Sequence, residues 1–304
     1  MDERVRLAFT IGYIGKHFHG SQIQPDVKTV QGELIRVLRQ LRWLNSQDEG
    51  HNLVLSSRTD AGVNVRRNGG VVTIAKSLWD SLNRRKMVRA IDDRLPEGIV
   101  FLDVKEVHDD WNPRLAESRI YRYRLEGIRG WNYPGDIFQD WLSLFVGTYD
   151  ARNFARLEEG KNPIRKIFRC NPWLVGNRVV GFEIVGEAFL WNQVRRIAMA
   201  LYGLSTGELT ADAVRAAISQ PENPVDFGVA PPEWLILWDV IWPDLSYQDS
   251  QTSNYIFTEP PKAEYLERTM MARWEAGAKL EMQSMLYHEW SAIGRLPYMP
   301  HKSD

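Results

Sequence analysis

The sequence predicts an α+β protein built as two ferredoxin-like halves. Over roughly the first hundred residues, segments alternating apolar and polar side chains interleave with segments whose apolar residues recur at helical spacing. Their order is strand, helix, strand, strand, helix, strand. The second half repeats that pattern of strands and helices without repeating its sequence. At 304 residues the chain suffices for one large or two medium domains, each with its own core.

In the first half, Val5, Leu7, Phe9, Ile11 and Tyr13 alternate along a strand from Arg4 to Tyr13. A loop rich in glycine and polar side chains follows, up to Pro25. Thr29 is placed to cap a helix whose stripe of Val30, Leu34, Val37, Leu38 and Leu41 is expected in the core. Leu53 to Leu55 reads as the end of a buried strand, and Ser56 to Val65 as a loop. Arg66-Arg67-Asn68-Gly69-Gly70 reads as a basic turn before a strand from Val71 to Ala75. Ser77 to Leu95 reads as one helix carrying Arg84, Arg85, Lys86 and Arg89. Pro96-Glu97-Gly98 ends it, and Ile99 to Val107 alternates as a strand.

In the second half, Ile120 to Leu125 is expected as a strand with Tyr121, Tyr123 and Leu125 on one face and Arg122 and Arg124 on the other. Phe145 to Phe154 reads as a loop before a strand. Trp173–Val175 and Arg178–Val185 form a hairpin turning at Gly176-Asn177. Between Phe189 and Leu201, Val194, Ile197, Ala198 and Leu201 make the buried face of a helix. Arg195 beside that face calls for a carboxylate partner, because an unpaired buried charge is costly. Ala211–Ile218 is a short helix and Leu235–Trp242 the last strand. Ser246 to Pro261 is polar and linker-like. Lys262 to Ile293 reads as a long helix with Tyr265, Leu266, Met270, Trp274, Leu280 and Met285 as candidate buried positions. Packing on the domain, self-association and RNA contact all remain open for it. The expected divisions are 1–110, 111–242 and 243–304.

Composition narrows the function. Apolar residues make up 44% of the chain, and no apolar run approaches the ~20 residues of a membrane span. The single cysteine, Cys170, excludes an internal disulfide framework and a cysteine-based zinc site. No apolar leader core stands behind Met1-Asp2-Glu3-Arg4, so a soluble cytoplasmic protein is expected. The net charge is −1, yet basic residues cluster at Arg66-Arg67, Arg84–Arg89, Arg119–Arg124, Arg165–Arg169 and Arg195-Arg196, while acidic residues gather towards the C-terminus. That segregation suits a single positively charged cleft, though scattered surface charge reads equally well.

The chemistry centres on Arg58-Thr59-Asp60-Ala61-Gly62-Val63. Thr-Asp-Ala-Gly is not the Asp-Thr-Gly order of an aspartic protease, and no second copy supplies a dyad. No Ser or His stands nearby as a nucleophile–base pair. Two readings remain: a solvated pair on a turn, or a carboxylate acting alone with the Arg58 guanidinium favouring its charged form.

These residues resemble the catalytic motif of the TruA family of tRNA pseudouridine synthases, R-T-D-A-G-V-H-A. Six consecutive positions agree, and Asn64 and Val65 replace the His and Ala. The stretch from Tyr13 to Gln24 is similar to Y-D-G-x-x-F-x-G-W-Q-x-Q, with Ser21 in place of the tryptophan; this and Asn64 look like the archaeal branch. Trp111 to Arg124 resembles F-H-A-R-x-x-A-x-x-R-x-Y-x-Y, differing at Trp111, Asn112 and Pro113. Phe145 to Phe154 resembles L-x-G-x-H-D-F-x-x-F, Phe189 to Leu201 the F-x-x-x-x-V-R helix, and Ala230 to Leu237 A-P-x-x-L-x-L. The likeness runs from about Gly12 to Trp242.

The resemblance implies a pseudouridine synthase fold whose two halves flank a central basic cleft. It implies isomerisation of tRNA uridines 38 to 40 in the anticodon arm, without cofactor or metal, by a homodimer that embraces the tRNA. Asp60 becomes the essential carboxylate, with Arg195 its partner, Tyr121 stacking on the target base and Arg58 supporting base flipping and phosphate binding. Three routes are open to Asp60, namely attack at C1′, addition to C6 or removal of a C2′ proton, and all require it ionised. Arg66, Arg67, Arg119, Gln22 and Gln24 are the candidate RNA contacts. A catalytically idle RNA-binding or chaperone protein on the same scaffold is the alternative. The two differ in whether Arg58, Asp60, Tyr121 and Arg195 meet in one cleft.

Overall fold

The computed structural model of the chain describes residues 3–44, 53–247, 255–261 and 268–295. The first half contributes four strands: β1 (Arg4–Tyr13), β2 (Leu53–Leu55), β3 (Asn64–Ala75) and β4 (Ile99–Val107). The second half contributes β5 (Ser118–Tyr123), β6 (Gly147–Asp150), β7 (Ile164–Val175), β8 (Arg178–Gly186) and β9 (Leu235–Ile241). Among the described residues these make one sheet in the order β4-β1-β3-β9-β5-β8-β7-β6, with β2 also paired to β3. Within each half the neighbours run antiparallel. The halves meet in one short parallel pairing, Asn64 with Ile236 and Val65 with Leu237. The loop carrying Asp60 leads directly into that seam.

The helices are α1 (Val30–Gln40), α2 (Lys76–Ser81), α3 (Arg84–Asp92), α4 (Ile137–Ser143), α5 (Gln193–Thr206), α6 (Ala211–Ser219) and α7 (Arg268–Arg295). Thr29 caps α1, its hydroxyl accepting from Gly32 N at 3.2 Å, and Val30, Leu34, Ile35, Val37 and Leu38 are buried. None of the described helices is long and apolar enough to cross a membrane.

The structure departs from the sequence reading in several places. The loop expected over Phe145–Phe154 contains strand β6 (Gly147–Asp150), which pairs antiparallel with β7. The helix expected over Ser77–Leu95 is two helices, because Asn83 is an N-cap: its side chain accepts from Lys86 N at 2.9 Å and starts α3 afresh. The expected basic turn at Arg66–Gly70 is the interior of β3. Its glycines are there for packing. A Cβ on Gly69 would lie 2.1 Å from the Trp242 ring, and one on Gly70 2.4 Å from the Phe9 ring, so each gives up its side chain to an aromatic.

The last departure is the stripe of α7. Met271, Trp274, Ala278, Met282, Met285, Leu286 and Trp290 are buried, whereas Met270 and Leu280 face outward; Tyr265 and Leu266 lie outside the described residues. The helix packs on its own sheet and is tied to both halves. Glu289 pairs with Arg66 at 2.6 Å, and Trp290 Nε1 donates to Arg66 O at 2.8 Å. Glu281 pairs with Arg124 at 3.0 Å and Lys279 with Glu233 at 3.0 Å.

Candidate active site

The Asp60 loop is held from three sides. Asn68, fully buried on β3, accepts from Ser57 N at 3.2 Å and donates to Ser57 O at 2.9 Å. It thereby imitates a strand partner where the ladder has ended. Ser21 does the same further on: its Oγ accepts from Thr59 N at 2.8 Å and its N–H donates to Thr59 O at 3.1 Å. Tyr13 Oη shares a 2.7 Å hydrogen bond with Thr59 Oγ1. Asp60 O then accepts from Val63 N at 3.3 Å, closing a turn in which Gly62 has φ +84°. A Cβ there would be strained and would meet Pro232 Cγ at 2.9 Å.

Asn64, at the seam, joins the halves. It accepts from Gly15 N at 3.0 Å and donates to Glu233 O at 3.0 Å.

The second half brings the partners. Asn192, in the left-handed region at φ 62°, turns the chain into α5. Three residues later Arg195 Nη1 reaches Asp60 Oδ2 at 2.8 Å and Asn192 Oδ1 at 3.0 Å, and its Nε donates to Ala230 O at 2.7 Å. Trp191 Nε1 donates to Asp60 Oδ1 at 2.9 Å. Both carboxylate oxygens are thus held by N–H donors, while the Asp60 side chain keeps 30% of its surface exposed. Such a carboxylate is fixed in orientation and still open to a ligand.

Tyr121 lies in β5, buried, with its ring edge-on to Phe189 at 5.0 Å. Burial pushes its hydroxyl up to about 12; Arg119 opposes that rise and the charge of Asp60 adds to it. Tyr121 therefore enters any neutral-pH chemistry as an uncharged phenol. The sign for stability follows, since an unfolded tyrosine titrates near 10. The contribution is intact below pH 10 and is lost as pH rises through the folded value. Between pH 9 and 11 the wild type should lose about 1 kcal/mol more stability than Tyr121→Phe. Urea unfolding of both proteins across that range measures the difference, and parallel curves would exclude it.

Asp60 and Arg195 are brought together, and Tyr121 lies near enough for the Asp60 charge to act on its hydroxyl. Arg58 lies on the same loop, exposed, with no ion pair or hydrogen bond among the described residues. The cation paired with Asp60 is accordingly Arg195, across the seam, and not Arg58 two residues away. Gln22 and Gln24 are exposed, and Gln24 Nε2 donates to His19 O at 2.8 Å.

Three of the candidate RNA contacts need correction. Arg66 and Arg67 are 1% and 4% exposed. They neutralise internal carboxylates: Arg66 lies 2.6 Å from Glu289 and 3.6 Å from Asp239, and Arg67 3.7 Å from Asp239. Arg119, also buried, donates to the carbonyls of Ala116 at 3.2 Å and Arg114 at 2.9 Å. A guanidinium enclosed in this way has no face left for a phosphate. Arg122 with Glu183 and Arg124 with Glu126 and Glu281 extend the pattern, so much of the basic clustering serves the interior.

The sequence reading missed Trp191, Asn68 and the structural use of Ser21. Trp191 precedes the left-handed turn at Asn192 and lies outside α5, so nothing local marks it. Nothing local marks Asn68, whose role depends on where Ser57 arrives.

Residues 142–243 match a family model described as tRNA pseudouridine synthase. A tRNA pseudouridine synthase A of Pyrococcus furiosus is 35% identical over 251 residues, covering 82% of this chain and 88% of that protein. That of Thermococcus sibiricus is 35% identical over 269 residues, with 87% and 93% covered. That of Methanocorpusculum labreanum is 33% identical over 246 residues, with 80% and 82% covered.

Proposed function

The chain belongs to the tRNA pseudouridine synthase family, whose members isomerise uridine in tRNA, and on that premise we propose that its target is the anticodon arm, at uridines 38 to 40, with Asp60 as the essential group. The observation that supports this site is the Asp60 carboxylate, held by Arg195 and Trp191 beside a neutral Tyr121 and still partly exposed. The isomerisation breaks the bond between uracil N1 and C1′, turns the freed base, and joins C5 to C1′, the C5 proton being lost and N1 gaining one so that the atoms balance. Every route assigned to the carboxylate requires its negative charge within reach of one flipped nucleotide, and flipping costs a few kcal/mol.

In this reading the ring of Tyr121 lies against the everted base, and exposed Arg58 fills the vacated space or holds a phosphate. The enzyme works in the cytoplasm as a homodimer around its tRNA. Incubating the protein with unmodified tRNA transcripts and mapping pseudouridine site by site tests the reading. Conversion confined to positions 38 to 40 is expected; conversion elsewhere would move the target, and no conversion would remove the function.

A further inference from the structure

Beyond the Asp60 loop, one exposed cation stands within an indole's breadth of the carboxylate. Arg156 N donates to Trp191 O at 2.9 Å, the two residues forming an isolated antiparallel bridge. The Arg156 guanidinium lies 4.3 Å from the centre of the Trp191 ring, within the range of a cation–π contact. The same ring donates its N–H to Asp60 Oδ1. Guanidinium, indole, carboxylate and Arg195 thus form a continuous chain. Arg156 is exposed and makes no ion pair among the described residues, unlike the buried arginines of the sheet. Trp191 is 42% exposed, so its ring and the guanidinium over it are open to a ligand.

We propose that Arg156 and Trp191 form a phosphate-responsive positioning element: Arg156 takes a backbone phosphodiester of the RNA strand beside the flipped uridine, and through the stacked indole this contact fixes the orientation of Asp60. The inference rests on the reading of Asp60 as the essential carboxylate of a tRNA-modifying enzyme. Its physical basis is that Arg195 restrains only one oxygen, Oδ2, leaving rotation of the carboxylate to be stopped by the indole at Oδ1. A ring clamped between a protein surface and a phosphate-bound guanidinium holds that second oxygen more firmly than a half-exposed ring does.

The test measures tRNA binding over a salt series and single-turnover rates for the wild type, Arg156→Ala, Arg156→Lys, Trp191→Phe and the double variant Arg156→Ala/Trp191→Phe. Loss of one phosphate contact lowers the salt slope of binding by about one. Arg156→Ala should show that loss and Arg156→Lys should restore it. Trp191→Phe, which keeps an aromatic face under Arg156 and deletes the N–H, should bind tRNA as wild type and turn over about 10- to 100-fold more slowly. The double variant should be no slower than Trp191→Phe, because both changes cut one relay. An unchanged salt slope in Arg156→Ala, wild-type turnover in Trp191→Phe, or additive losses in the double variant would each overturn the proposal. If the wild type itself forms no pseudouridine, the functional reading fails instead, and the two failures are told apart in the same assay.

Discussion

Asp60→Asn is expected to bind tRNA with wild-type affinity and to form pseudouridine about 10⁴-fold more slowly or worse, the scale of removing a group on which the chemical step depends. The substitution preserves size and removes charge. Only one of the two carboxylate oxygens survives as an acceptor, so the new amide NH₂ must face either Arg195 Nη1 or Trp191 Nε1, both of them donors. Binding should be spared, because affinity for RNA comes mainly from phosphate contacts made by cations elsewhere on the surface. Single-turnover kinetics on a tRNA transcript, with binding measured in parallel, decides the matter. Turnover within tenfold of wild type would show that Asp60 is not the essential group. Joint loss of binding and turnover would show that its charge serves chiefly to hold the loop to α5.

The largest effect on stability is expected at Arg66→Met. Arg66 and Glu289 are each 1% exposed and 2.6 Å apart. Removing the guanidinium leaves the Glu289 carboxylate buried without the partner that now neutralises it. Breaking a buried pair from one side costs about 3–5 kcal/mol, which lowers the melting temperature of a chain this size by about 10 °C. Much of the loss should return in Arg66→Met/Glu289→Leu, where no charge is left stranded, since well-packed apolar replacements of buried pairs are often neutral. Thermal melts of wild type, single and double variants give the comparison. A single variant as stable as wild type would mean that α7 contributes little to the sheet it covers. A positive charge needed on the surface for RNA would give the opposite pattern, with binding weakened and melting unchanged.

Much of the architecture is legible in the order of the residues alone. The alternation of Val5, Leu7, Phe9 and Ile11 appears as β1, and the hairpin at Gly176-Asn177 joins β7 to β8. The stripe Val194, Ile197, Ala198 and Leu201 appears as the buried face of α5. Such patterns are local, since side chains two, three or four apart share a face whatever the rest of the chain does. The motif from Arg58 to Val63 marked the Asp60 loop for the same reason: the turn is made by its own residues, with Gly62 supplying the backbone conformation.

Partners are another matter, because a charge is neutralised by whatever the fold brings beside it. Arg195 and Asp60 are 135 residues apart, and Arg66 and Glu289 are 223 apart. Local spacing therefore made Arg58 the cation for Asp60 and made Arg66-Arg67-Asn68-Gly69-Gly70 a basic turn. In the folded chain the first cation is displaced by Arg195, and the supposed turn is a central strand with aromatic rings over its glycines. The amino-acid order by itself determined most of the strands and helices and the loop that carries the carboxylate, since these need only neighbours in sequence. The tertiary structure alone decided which arginines are buried and that an indole holds the second oxygen of Asp60, and it set Arg195, the partner the family resemblance implied, against the first, since these depend on two half-sheets joining at the Asn64–Val65 seam.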